Sequence, residues 1–245
     1  NSKKYRKRNC TFREFPKSKW RFELLDGESY ISDWGTTYAG HFMLEAEKKG
    51  FVLPFTFKSN FIKFQKEAVR NSRDLSQAYA LYTLALAGSP DLSAMNRLRE
   101  FKQISNEAKW RLAATYALVG QKEAADEIMQ KADLNFAGYN YYNYGSVTRN
   151  RAMALETMLL TNDKNAKDVA KIIAKELSSN SWMSTQTTAF SLLSIGKMVV
   201  KNGGKAMNLS YTNNGKSEVV KTASSMVQRT LEIKKGRNKI TFKNN

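Results

Sequence analysis

From Ser32 to Gly203 apolar residues recur every three or four positions, the period of helices that bury one face. Short polar residues and glycines divide this pattern into about nine helices of ordinary length. Asp33 stands at the start of a helix that Gly50 ends, Asp74 at the start of one that Gly88 ends, and Ser105 at the start of one that Gly120 ends. The reason is that a short polar side chain accepts from the free N–H groups of a first turn, and glycine takes the left-handed turn that closes the last one. Pro54 and Pro90 fall just outside helices or at their starts, where a missing N–H costs little.

Two segments, 78–87 and 189–200, are apolar over nearly their whole circumference and are predicted to lie inside, enclosed by other helices. Segments 123–131 and 165–175 carry their charges on one face and belong outside. An inner ring of apolar helices wrapped by an outer ring of amphipathic ones is the pattern of an α/α toroid, also called an alpha-alpha barrel. A stacked helical solenoid reads much the same way. Gly203-Gly204 then breaks the helical rhythm. Residues 207–211 and 218–222 flank Asn213-Asn214-Gly215, and 230–233 and 239–242 flank Lys235-Gly236, two hairpin signatures because Asn and Gly accept positive φ. The predicted organisation is an irregular basic and aromatic lead-in over 1–31, a helical toroid over 32–203, and β-hairpins over 204–245. Those hairpins are too few to stand alone and read as the start of a following β-sandwich-like domain. The fold class is therefore mainly α with a short β segment.

Four stretches in this order bear on family. The stretch 33–50 contains Trp34, Tyr38, His41 and Glu45; 78–88 contains Tyr79; 95–100 contains Asn96 and Arg97, followed by Trp110; and 184–189 reads Ser184-Thr185-Gln186-Thr187-Thr188-Ala189. Together they resemble the toroid of bacterial alpha-2-macroglobulin-like proteins, the thioester-domain region, over residues 26–245, with 1–25 unassigned. The resemblance implies a piece of a large protease-trapping protein, an endopeptidase inhibitor and not an enzyme, exported to the periplasm or associated with the outer membrane, often as a lipoprotein. Its partners would be other domains of the same protein and target proteases. No cofactor and no metal is implied, and the motif residues read as structural.

Composition narrows the chemistry. The formal charge of +18 suggests nucleic acid until it is divided along the chain. Residues 1–22 hold nine Lys/Arg against one acid and 197–245 hold eleven against two, which leaves twenty against nineteen in between. The excess sits at the two ends, and no recognisable reading element accompanies it, so specific nucleic-acid binding is not expected. No run approaches the roughly 18 apolar residues of a membrane span, and Asn1-Ser2-Lys3-Lys4 is not followed by the apolar stretch of a signal peptide.

The single cysteine, Cys10, has no partner for an internal disulfide, and one histidine leaves little material for a metal site. Thioester-bearing relatives carry C-x-E-Q, in which cysteine sulfur and the glutamine side chain three positions on form a reactive acyl donor. Here Arg13 stands three positions after Cys10, and Glu14 comes one later, so no thioester can be drawn there. His41 is expected to be a packing histidine, because a general base with no nucleophile has nothing to act on. It also does not match the later toroid position at which complement-type relatives use a histidine.

Ser184-Thr185-Gln186-Thr187-Thr188 is expected to cap and enter the last long helix. Tyr139, Tyr141, Tyr142 and Tyr144 are expected to cover helix ends, with a ligand-stacking patch as the alternative. The main rival fold comes from Trp110, Ala113, Tyr116, Gly120, Ala124 and Ala125, which resemble one tetratricopeptide repeat of a peptide-binding scaffold. Its period of 34 residues would require the pattern again around Ser76 and Tyr144, where it does not recur. A toroid enzyme of the prenyltransferase or cyclase kind would need clustered Asp pairs or Cys/His ligands, and these are not found.

Overall fold

Ser32 opens the first helix, with its hydroxyl accepting from the Gly35 amide at 3.0 Å, so the cap falls one residue before Asp33. This computed structural model describes residues 32–202, 207–223, 227 and 229–245; the lead-in 1–31 and the Gly203-Gly204 break lie outside the described residues. The protein is mainly α, with nine α-helices among the described residues and a three-stranded antiparallel sheet after the last of them. Its chain divides into two compact units, Asn1–Gly145 and Ser146–Asn245.

The first unit contains α1 (Asp33–Lys48), α2 (Phe57–Asn71), α3 (Asp74–Leu86), α4 (Leu92–Arg99), α5 (Asn106–Leu118) and α6 (Lys122–Gln130), then a single 3-10 turn at Tyr141–Asn143. Gly50, Gly88 and Gly120 sit at φ of 89°, 78° and 80°, the left-handed turns expected at three helix ends. Helix α3 is the centre. It packs on α1, α2 and α5, and residues Ala78 through Leu84 are all buried, as its apolar circumference predicts. Helix α5 is nearly as enclosed although it carries Glu107 and Arg111, both buried. The amphipathic α6 buries only Ala125 and Ile128.

Asp74 does not cap its own helix. Arg73 holds that position without a side-chain bond, and the Asp74 carboxylate instead accepts from the Ser105 amide at 2.7 Å, across to the start of α5. Ser105 then caps α5 through the Ala108 amide at 3.1 Å, as expected. Helices α1 and α2 meet at Gly40, where an added Cβ would fall 2.0 Å from the Phe61 ring. Phe61 itself stacks on Phe57 at 5.5 Å and 12°, in a cluster with Leu44 and Ala87.

The second unit contains α7 (Val147–Thr161), α8 (Ala166–Leu177), α9 (Thr185–Asn202), β1 (Met207–Asn213), β2 (Lys216–Thr222) and β3 (Ile240–Asn244). Helix α7 is its most enclosed element and packs on both α8 and α9. The expectation that 189–200 is buried all round is corrected: Phe190, Ser191 and Ser194 face inward, while Leu192 and Val200 are exposed. The buried stripe of α9 is largely polar, Gln186, Thr187, Ser191 and Ser194 with the single large ring of Phe190.

In the sheet β1 is central, with β2 and β3 on its two sides. Asn214 and Gly215, at φ of 51° and 92°, close the β1–β2 hairpin with Asn213 opposite Lys216. The second predicted hairpin does not form. Residues 230–233 are not a strand, and β3 pairs with the free side of β1, Tyr211 opposite Phe242. The Asn213 side chain donates to the Glu232 carbonyl at 3.0 Å, which holds that segment as a tethered loop.

Candidate functional site

In the first unit the motif residues converge on α3. Tyr79 and Tyr82, three apart, share one face of that helix. From α1, Trp34 lies 4.9 Å from Tyr79 between ring centroids, and the His41 ring meets Tyr79 and Tyr82 edge-on at 5.7 and 5.4 Å. His41 Nδ1 is 2.9 Å from the Tyr79 hydroxyl, and its Nε2 is 3.5 Å from Glu45, one turn on. From α5 the Arg111 guanidinium reaches across, 4.3 Å from the Tyr82 ring centre and 5.6 Å from that of Tyr79. A cation over aromatic faces gains most where water is excluded, and Arg111 is 0% exposed. This cluster fastens α1, α3 and α5 together. His41, at 2% exposure, is held by Tyr79 and is not presented to a substrate.

Three further motif residues make contacts elsewhere in the same unit. Asn96 accepts from the Tyr116 hydroxyl at 2.6 Å. Burial pushes the Tyr116 phenol above its ordinary range, against the pull of Arg99. Trp110 donates to the Asp133 carbonyl at 2.8 Å, and the exposed Arg97 donates to Ser93 at 2.8 Å. Tyr38 is half-buried, and burial raises its pKa.

The Ser184-Thr185-Gln186-Thr187 motif lies in the second unit at the junction of α7 and α9. Ser184 accepts from the Thr187 amide at 3.2 Å, and Ser146 accepts from the Arg149 amide at 3.1 Å. The Thr187 hydroxyl sits between these two serines, 2.8 Å from Ser146 and 2.9 Å from Ser184. Two helix starts thereby share one hydroxyl network. Behind it Arg149, 1% exposed, donates through Nη1 to Gln186 at 3.1 Å and through Nε to Asn150 at 2.8 Å. Thr185 is exposed on the first turn. Farther along α7, Glu156 accepts from Lys197 of α9 at 2.5 Å.

Residues Arg111, Tyr82, Arg149 and Glu156 carry much of this architecture and were not singled out by sequence. Tyr82 had a signal, its three-residue spacing from Tyr79. The buried charges had none, since their stems and heads read as the polar face of a surface helix. Cys10, with Arg13 in the glutamine position, lies outside the described residues.

No protein-family model matches the sequence, and no curated protein does. Solved structures do. The native conformation of Escherichia coli alpha-2-macroglobulin aligns with 93% of this chain at a TM-score of 0.67 and 15% identity. Salmonella alpha-2-macroglobulin reacted with methylamine aligns with 93% at 0.68 and 16% identity. The chain has the fold of one segment of the bacterial alpha-2-macroglobulins. It spans only 14% of the length of the first of these structures and 15% of the second. Native E. coli alpha-2-macroglobulin spanning domain MG7 to the C-terminus also aligns, over 93% of this chain and 36% of its own length, at a TM-score of 0.64 and 15% identity. The fold is thus similar to a part of that MG7-to-C-terminus structure. Among the described residues no helix is long and apolar enough to cross a membrane.

Proposed function

We propose that this chain is a thioester-domain-like module of an alpha-2-macroglobulin-like protease trap, working by packing and movement and not by turnover. Its helices 32–203 would form one toroidal domain, and 204–245 would begin the β domain that follows. The observation that carries the reading is the alignment of 93% of the chain with bacterial alpha-2-macroglobulin structures. The side-chain chemistry fits a non-catalytic part. The histidine is packed against Tyr79, the Ser184 and Thr187 hydroxyls are committed to helix starts, and Cys10 lacks a glutamine three positions on. The resemblance further implies a periplasmic or outer-membrane-associated whole protein whose partners are its own other domains and the proteases it captures.

Trapping leaves a specific signature. A protease enclosed by the whole protein keeps its activity on small substrates, loses it on large proteins, and co-elutes with the trap. Incubation of the complete protein with trypsin, followed by size-exclusion chromatography and paired assays on a small amide and on casein, should show all three. Trypsin that stays equally active on casein and elutes alone would remove the proposal.

A further inference from the structure

Tyr139, Tyr141 and Tyr142 are exposed and do not cover helix ends as expected. The turn between β1 and β2, by contrast, is tied down by its own side chains. Asn214 makes three bonds to the loop before β3. Its amide donates to the Lys239 carbonyl at 3.0 Å, its side-chain oxygen accepts from the Lys239 amide at 3.1 Å, and its side-chain nitrogen donates to Asn238 at 2.8 Å. Asn238 is committed in turn. Its side-chain oxygen also accepts from the Lys234 amide at 2.8 Å, and its nitrogen donates to the Lys234 and Gly236 carbonyls, both at 3.0 Å. Two asparagine side chains thereby lock the β1–β2 turn to the segment that delivers β3. Burial adds little to the pairing of that strand with β1, since all five of its residues are exposed. A strand held this way opens at a free energy below that of global unfolding.

Asn214 is also chemically labile, because the residue after it is Gly215. With no side chain on Gly215, its backbone nitrogen is free to approach the carbonyl carbon of the Asn214 side chain. The Gly215 amide proton passes to a solvent base, a C–N bond forms as the bond to the Asn214 side-chain nitrogen breaks, and that nitrogen takes a proton from water and leaves as ammonia. Water then opens the cyclic imide to aspartate or isoaspartate. In the closed turn this attack is blocked. The φ values of 51° at Asn214 and 92° at Gly215 fix the backbone, and the side-chain amide is bonded at both its oxygen and its nitrogen, so it cannot swing toward Gly215. We propose that Asn214 is a deamidation site gated by this lock, and that its conversion permanently loosens β3. An aspartate offers no N–H to the Asn238 oxygen, and Asn238 cannot turn its own nitrogen to the new carboxylate without giving up Lys234 and Gly236. Isoaspartate adds a backbone carbon for which a two-residue hairpin turn has no room. Neither step depends on the protease-trap reading.

The test holds the whole 245-residue chain at mildly alkaline pH and follows Asn214 by peptide mass mapping, beside the isolated peptide 211–218 as an ungated reference. The peptide should convert fastest and the native chain slowest, but measurably. Asn238→Ala should convert at least about fivefold faster than the native chain, the factor by which one lost hydrogen bond shifts an opening equilibrium. Helical circular dichroism checks that this variant stays folded. Asn214→Asp, made directly, should speed amide hydrogen exchange in 240–244 while α7 and α8 exchange as slowly as before. An Asn214 that converts as fast in the native chain as in the peptide, or not at all once the peptide is consumed, overturns the proposal. So does an Asn238→Ala rate equal to the native one, or unchanged exchange of β3 in Asn214→Asp.

Discussion

At Gly40 a single missing methyl group decides how closely two helices approach. Because an added Cβ would meet the Phe61 ring at 2.0 Å, Gly40→Ala must displace a buried ring from its stack on Phe57. Overpacking of this kind costs about 1–3 kcal/mol, readable as a lower urea midpoint. Adding Phe61→Leu to the variant should recover part of that loss, because the two residues share the same space. Equal and additive costs would mean that the ring does not occupy the space described. Tyr116 yields a second prediction. Burial holds its phenol protonated above its ordinary value of 10.0, so the folded state binds that proton more tightly than the unfolded one. Its contribution is therefore fully present below the unfolded pKa and lost as pH rises through the folded one. Unfolding measured from pH 8 to about 11 should show stability declining at the alkaline end, and Tyr116→Phe should decline less steeply. Parallel profiles would contradict this assignment.

Among the elements, the starts of α7 and α9 act as one unit because Thr187 bonds to both Ser146 and Ser184. Ser146→Ala and Ser184→Ala each remove a cap worth about 1 kcal/mol. Their effects should be coupled by roughly 0.5 kcal/mol or more in a double-mutant cycle, since each loss also disturbs the shared hydroxyl. Strict additivity would mean two independent caps. This junction also shows what could be read in advance. Sequence located the S-T-Q-T cap because capping is local, and it placed α3 at a centre because 78–87 is apolar on every side. It did not place α5 or α7 there. Arg111, Arg149 and Glu156 are buried, and a charged residue looks solvated until its distant partners, here Tyr82, Gln186 and Lys197, are in position. The β3 strand illustrates the same limit. Lys235-Gly236 is a local turn signal, but the partner of β3 is β1, roughly thirty residues back, and long-range pairing follows the available sheet edge, not the nearest turn. The tyrosine turn was legible as a cluster, while its outward exposure depended on the fixed backbone between Asn140 and Gly145.

For the whole molecule, a fold like that of the alpha-2-macroglobulins is joined to a chain that has no glutamine three residues after its one cysteine. Methylamine added to this chain should therefore release no thiol, as followed by thiol titration before and after the amine. A rise of about one thiol per chain would require a reactive acyl bond at Cys10, contrary to the spacing that such a bond needs. The larger proposal is that each helical unit keeps its own packing when the whole protein captures a protease. Cryo-electron microscopy of the complete protein, alone and after reaction with trypsin, tests it most directly. The expected result is that the helices of each unit keep their internal packing, including the Trp34, His41, Tyr79 and Arg111 cluster, while trypsin density lies within the particle. Helices that repack within a unit, or a particle with no enclosed protease, would contradict the account.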